Sequence, residues 1–98
     1  MTRYPQHWLT FAGNQEPESE PIHTLACECA GVDPNDTDAD VLQVEDCSAV
    51  EAIQRAGNKA PGCDPDGNLD HGTVYAVCDS DLDYCRLVYV REGTATRV

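Results

Sequence analysis

Thr73-Val-Tyr-Ala-Val-Cys78 and Cys85-Arg-Leu-Val-Tyr-Val-Arg91 are the two stretches that decide the fold of this 98-residue chain. Both are short runs rich in β-branched and aromatic residues, which is the composition of strands. The residues between them, Asp79 to Tyr84, contain three aspartates and predict a turn that joins the strands into a hairpin. Cys78 and Cys85 bracket this turn, so they can form a bridge if they face each other across the hairpin.

A helix and further strands are predicted upstream of this hairpin. Ser48-Ala-Val-Glu51 is a capping-box pattern, in which Ser48 and Glu51 each bond the other's backbone amide. The helix then runs from Ala49 to Ala56, and Gly57 ends it. Other apolar segments predict strands at His7–Ala12, Ile22–Ala30 and, as a short strand, Val41–Glu45.

This order of elements predicts the fold class. A chain with mostly strands and one helix is typical of an α+β domain, in which the helix packs on one face of an antiparallel sheet. We expect a small, disulfide-stapled antiparallel sheet of about four strands with one packed helix. We expect residues 1–98 to form a single cysteine-rich acidic domain with flexible ends at residues 1–5 and 93–98.

The net charge of the chain restricts its partners. It carries 18 acidic and 6 basic residues, with a formal net charge of -12. A polyanion such as nucleic acid would be repelled, and no basic stripe is present to bind phosphates. No stretch approaches the ~20 apolar residues that span a bilayer, so membrane insertion is not expected. A protein with a basic surface is the favoured partner.

Six cysteines in a chain of this length are the second strong signal. An even number suits three disulfides in a small secreted domain whose core is too small to be stable alone. Structural zinc and free cysteines in the core are the alternatives, and the paired CxxC spacing of zinc knuckles does not occur. We therefore expect all six to form disulfides, with pairing left open among 15 combinations: Cys27, Cys29, Cys47, Cys63, Cys78 and Cys85.

The segment around Cys27 and Cys29 also predicts how two of these thiols are arranged. In a strand from Ile22 to Ala30, Leu25, Cys27 and Cys29 would share one face by the two-residue period. Neighbouring positions on one face point in parallel, so we expect Cys27 and Cys29 to bridge to different elements.

The cysteines also predict the compartment. The first residues, from Met1 to Trp8, lack the apolar core of a signal peptide. We expect either a cytoplasmic protein or a secreted chain from which a signal has been removed. Disulfides favour the secreted, extracellular location.

A loop with alternating oxygen side chains is a candidate calcium site. Its four ligand candidates are Asp64, Asp66, Asn68 and Asp70, at a spacing from which oxygens can converge on a hard cation. An EF-hand frame would need glycine and glutamate where Leu69 and Tyr75 stand, so the pattern departs from that motif. Aspartates also simply solubilise turns, and no cofactor is expected apart from this weak calcium site.

Glycosylation and catalysis complete the candidate chemistry. Asn35-Asp-Thr37 fits the acceptor pattern for N-glycosylation, which makes Asn35 a candidate site in a secreted chain. His7, His23 and His71 are candidate acid–base groups, but no nucleophile elbow, phosphate loop or HExxH motif accompanies them. We therefore expect no catalytic residues and no enzyme activity.

The aromatic residues divide into two predicted groups. Trp8, Phe11, Tyr75 and Tyr89 are expected in the core or on a sheet face, and Tyr4 and Tyr84 are expected to be exposed.

These observations predict a class of function. We expect a secreted, non-catalytic protein that acts by binding a partner, as small effectors, toxins and inhibitors do. One alternative is a cytoplasmic acidic module, or nucleic-acid mimic, with reduced or zinc-bound cysteines. The other is a small hydrolase or nuclease that uses a histidine.

Overall fold

Five strands and two α-helices make up the described part of the chain. The computed structural model describes residues 2–13, 16–17, 19–35, 39–58, 72–78 and 83–98. A short 3-10 turn at Gln6–Trp8 follows the first strand. The elements are, in chain order, β1 (Tyr4–Pro5), α1 (Glu20–Ala30), β2 (Asp40–Val44), α2 (Asp46–Arg55), β3 (Thr73–Cys78), β4 (Tyr84–Arg91) and β5 (Thr94–Arg97).

The strands form one antiparallel sheet with β3 and β4 at its centre. Its order is β1-β4-β3-β2, and β5 also pairs with β4. The outer side of β4 is shared, because β1 pairs with its first residues and β5 with residues 88–91. The strand β2 is therefore at one edge of the sheet, and β1 and β5 together form the other.

Each face of the sheet is covered by one helix. On the first face, Ala49, Ala52 and Ile53 of α2 pack with side chains of β3 and β4, including Val74 and Leu87. The opposite face carries a second cluster, contributed by α1 and the alternate positions of the same strands: Ala26, Cys27, Ala30, Val41, Tyr75, Val77, Val88 and Val90. Because β3 and β4 are buried on both faces, their runs of apolar residues are nearly continuous rather than alternating.

The α+β class is confirmed, and so are the three strands β2, β3 and β4. The predicted bounds of β3 agree with the structure, and those of β2 and β4 agree to within one residue. The prediction of one helix is wrong, because two helices are present in the described residues. Residues 94–97, which the sequence placed in a flexible tail, form β5.

The predicted strand at Ile22–Ala30 is wrong, because this segment is the helix α1. Ile22, Ala26 and Ala30 recur at the four-residue spacing of one helix face, and Pro21 lies in the first turn, where proline is tolerated. Gly31 ends the helix in the left-handed conformation at φ 76°, and the amide of the following residue bonds the carbonyl of Cys27.

The shared face predicted for Cys27 and Cys29 is wrong for the same reason. Two residues apart on a helix, side chains point about 200° from each other. Cys27 is fully buried against the sheet, whereas Cys29 is only partly covered.

Two arginines from the sheet hold the C-terminal end of α1. Arg97 Nε donates to the carbonyl of Cys29 at 2.7 Å, and Arg86 donates to the carbonyl of Ala30 at 3.5 Å. The last carbonyls of a helix have no partner within it and carry partial negative charge, so these cations stabilise the helix where it ends.

The predicted strand at His7–Ala12 is also wrong. Pro5 holds φ at -59°, and the Leu9 amide bonds the Gln6 carbonyl, which closes a 3-10 turn. Beyond the turn, Phe11 makes one isolated bridge to Val44 of β2.

Two predictions about single residues are wrong as well. The helix α2 begins at Asp46 with Glu45 as its N-cap, so Ser48 is not a capping residue. Instead Ser48 is buried, accepts a hydrogen bond from the Thr10 amide at 2.6 Å and donates one to the Trp8 carbonyl at 3.2 Å. Tyr4, expected to be exposed, is fully buried in the α2 cluster.

We predict that Ser48→Ala destabilises the protein by about 1–3 kcal/mol, because it leaves the Thr10 amide and the Trp8 carbonyl without their hydrogen-bond partner. Urea unfolding followed by tryptophan fluorescence measures the change. Ser19→Ala is the matched control, since Ser19 is exposed and its side chain makes no capping bond. Equal losses in the two variants would contradict the proposed role of Ser48.

Candidate binding edge

The predicted site residues fall into separate places in the fold. Five of the six cysteines are described, and no two of these five are joined by a disulfide, so the predicted staples are not confirmed. Cys78 and Cys85 lie opposite each other in the sheet, on the α2 face. Cys27 lies in the cluster on the other face, and Cys47 is exposed on α2.

Several candidate ligands lie outside the described residues. These are Cys63, His71 and the whole proposed calcium set, Asp64, Asp66, Asn68 and Asp70. Within the described part of the chain, no three or more His, Cys, Asp or Glu side chains are grouped closely enough to bind a metal ion.

The candidate glycosylation residue lies on the surface. Asn35 is exposed, and its amide donates to Asp33 Oδ1 at 2.9 Å, which forms a local turn. The threonine of the acceptor pattern is outside the described residues.

Two of the three histidines can be placed. His7 is exposed, and its ring meets the Trp8 ring edge-on at 6.2 Å between centroids. His23 is partly buried on α1, and its Nε2 lies 3.8 Å from Cys27 Sγ and 3.4 Å from the Pro34 carbonyl oxygen. The helix brings His23 and Cys27 together because they are four residues apart.

The His23–Cys27 contact does not activate a nucleophile. Burial, and to a smaller extent the negative charge of Asp33, raises the pKa of the Cys27 thiol. The thiolate is the reactive form of cysteine, so a buried thiol that is protonated at neutral pH is a poor nucleophile. Cys27 therefore acts as a small apolar side chain in the core.

Three of the surface cavities in the described part of the chain adjoin the sheet. One, about 610 Å³, is lined by residues that include His7, Phe11 and Tyr84, and Tyr84 is exposed as predicted. A second, about 500 Å³, is lined by the first half of α1 and by residues at the ends of β3 and β4. The third, about 330 Å³, runs beside β2 and is lined by three carboxylates.

The outer edge of β2 is only partly covered. At its last residues the chain segment around Phe11 lies alongside: Ala12 N donates to the Gln43 carbonyl, and Glu45 N donates to the Thr10 carbonyl. Gln43 and Glu45 therefore turn their backbone groups outward. Because backbone direction alternates along a strand, Val41 does so as well.

The outward groups nearer the start of β2 have no backbone partner in the described part of the chain, and Val41 itself is only 4% exposed. No backbone atom of the described chain bonds the amide or carbonyl of Val41 across this edge, or the amide of Gln43. The 330 Å³ groove lies against this part of the strand, with Ala39 to Leu42 on one side. Its other side is formed by the segment that leads into α1, including Pro17, Ser19 and His23.

The groove is acidic. Glu16, Glu20 and Asp40 line it, and all three are exposed. The described arginines lie elsewhere. Arg55 is on α2, Arg86 and Arg91 are on the central strand β4, and Arg3 and Arg97 lie at the opposite edge, before β1 and on β5. The β2 groove therefore carries carboxylates and no described arginine.

Comparison with known proteins adds no family to this description, since no protein-family model, curated protein or solved structure matches the chain. No described helix is long and apolar enough to cross a membrane.

Raising the pH above about 9 is predicted to lower the free energy of unfolding through Cys27. The native pKa of this thiol is raised above its ordinary value of 9.0, so the unfolded chain ionises first. The neutral thiol contributes its full stabilisation below the ordinary pKa of 9.0. This contribution is lost as the pH rises through the native pKa. Urea midpoints between about pH 7.5 and about pH 10.5, under reducing conditions, measure the loss.

Two alanine variants isolate this contribution from the other groups that titrate at alkaline pH. Cys27→Ala is expected to lose less stability than the wild-type protein over the same pH range. Cys47→Ala, which removes an exposed thiol, is expected to keep the wild-type slope. A Cys27→Ala protein with the wild-type slope would show that the buried thiol is not responsible.

Proposed function

We propose that this protein is a non-catalytic binding domain that takes up an extended, basic segment of a partner protein along the outer edge of β2. The observation that carries the proposal is the β2 edge around Val41, which has no backbone partner in the described part of the chain and lies beside an acidic groove. An exposed strand edge is a template for another strand, and many domains bind peptides by adding a strand to a sheet.

The two features of the edge would play different parts in binding. Main-chain hydrogen bonds to Val41 and Gln43 supply affinity for any extended segment, because they do not depend on its sequence. The carboxylates of Glu16, Glu20 and Asp40 favour lysine and arginine side chains, and they attract a basic partner over roughly one Debye length, ~8 Å at physiological salt.

For the class of protein, we keep the one that the cysteines favour, a small secreted binding protein. We propose that the domain is secreted and works as small effectors, toxins or inhibitors do, stapled by disulfides. The acidic groove would serve a cytoplasmic binding module equally well, so the compartment depends on the oxidation state of the cysteines. A hydrolase that uses the His23–Cys27 pair is not proposed, since Cys27 is buried and protonated at neutral pH.

Gln43→Pro is predicted to weaken peptide binding at least about tenfold, because proline removes the outward amide of residue 43 and keeps its carbonyl. The amide does not take part in the β2–β3 ladder, so the fold is retained. Fluorescence anisotropy with a short, labelled peptide of alternating lysine and valine measures the affinity. Unfolding by urea checks that the variant is folded.

A glutamate–valine peptide of the same length is the ligand control, and it is expected not to bind. Equal affinities for the two peptides, or a folded Gln43→Pro protein that binds as tightly as the wild type, would overturn the proposal.

Neutralising the groove is predicted to weaken binding of the lysine–valine peptide and to make its affinity depend less on salt concentration. The test variant is Glu16→Gln, Glu20→Gln and Asp40→Asn combined. The matched control removes the same charge from exposed residues outside the groove, as Glu28→Gln, Glu51→Gln and Glu92→Gln. Isothermal titration at low and high salt measures both. If the two triple variants lose affinity equally, net charge and not the groove is responsible.

A further inference from the structure

The β3–β4 register places two cysteines directly opposite each other. Cys78, the last residue of β3, is aligned with Cys85 of β4. Both side chains belong to the cluster on the α2 face, and each is 1% exposed. Residues on the same face of neighbouring strands are the closest side-chain neighbours in a sheet.

The hydrogen-bonding pattern of β3 shows what kind of pair this is. The outward bonds of Gln43 and Glu45 turn the backbone of Val44 inward, toward its partner Val74 in β3. Backbone direction alternates, so Val74 and Cys78, four residues apart, both face β2. The amide and carbonyl of Cys78 therefore point away from β4.

The hydrogen bonds made by β4 lead independently to the same conclusion. The Leu87 carbonyl accepts from the Val98 amide, and the Asp83 carbonyl accepts from the Gln6 amide. Both groups point away from β3, and so does the backbone of Cys85, which lies two residues from each. Cys78 and Cys85 are thus a non-hydrogen-bonded pair. In such pairs the Cα atoms are about 4.5 Å apart, within the range of about 4.4–6.8 Å that disulfides span.

We propose that Cys78 and Cys85 form a cross-strand disulfide when the protein folds in an oxidising environment. The thiolate of one cysteine attacks a small-molecule disulfide such as oxidised glutathione and releases one glutathione thiol. The second cysteine then displaces the second glutathione. The two protein thiols lose two electrons and two protons, and the oxidant becomes two thiols.

The other described cysteines are worse placed for such a bridge. Cys27 and Cys29 diverge on α1 and lie across the sheet from Cys78 and Cys85. Cys47 is exposed on α2, whereas Cys78 and Cys85 are buried. Because the pair is buried once the sheet has formed, oxidation is expected during folding or when the hairpin opens, and to be slow in the folded, reduced protein.

The test is to refold the full chain with oxidised and reduced glutathione, alkylate it, and cleave it before aspartates. Asp79, Asp81 and Asp83 separate the two cysteines along the chain, so the bridge joins fragment 70–78 to fragment 83–98. The expected product is this linked pair, two hydrogens lighter than the sum of the reduced fragments. Cys78 bonded to a different cysteine, or both thiols alkylated after oxidation, would overturn the proposal.

The thermal midpoint of unfolding provides a second readout. Oxidation of the wild-type protein is expected to raise the midpoint by roughly 10 °C, because the bridge restricts the unfolded chain. A Cys27→Ala, Cys29→Ala protein is expected to keep this shift, and a Cys78→Ala, Cys85→Ala protein to lose it. A shift that persists without Cys78 and Cys85 would assign the stabilisation to another pair.

Discussion

The pairing of β3 with β4 is the interaction on which every other contact depends. Each of these strands is buried on both faces, so the pair contributes to both core clusters at once. On the α2 face, Ala76 of β3 lies in the same cluster as Ala49 and Ala52 of α2. On the other face, Tyr75 and Val88 lie in one cluster with residues of α1. A small chain gains a two-sided core in this way from only two central strands.

The two central strands could be predicted from the sequence because no helical pattern competes with the strand pattern of their residues. β-branched and aromatic runs bounded by aspartates and glycines predict β3 and β4 under any tertiary arrangement. The helix α1 could not be predicted from the sequence in the same way. Leu25, Cys27 and Cys29 alternate as a strand does, while Ile22, Ala26 and Ala30 repeat as a helix does. The start at Pro21 and the stop at Gly31 agree with the helix, and packing on the sheet decides between the two periods.

The candidate site depends on information that local sequence does not contain. The acidity of the chain predicted a basic partner, but it could not say which carboxylates lie together. Glu16 and Asp40 line one groove because the segment that leads into α1 lies beside β2, and the strand order makes β2 an edge. The same limit applies to Cys78 and Cys85. Their positions around the turn predicted that they could face each other, but only the register defines the type of pair.

The charge of the β2 edge has a second consequence, for self-association. An open strand edge pairs with any other edge, including its own copy, and natural proteins often protect such edges with charge. Two copies that met along β2 would bring two sets of Glu16, Glu20 and Asp40 together, and their repulsion opposes that pairing. On the proposed function, a lysine-rich strand would meet the same carboxylates as favourable partners. One set of charges would then both oppose the pairing of two copies and favour a basic occupant.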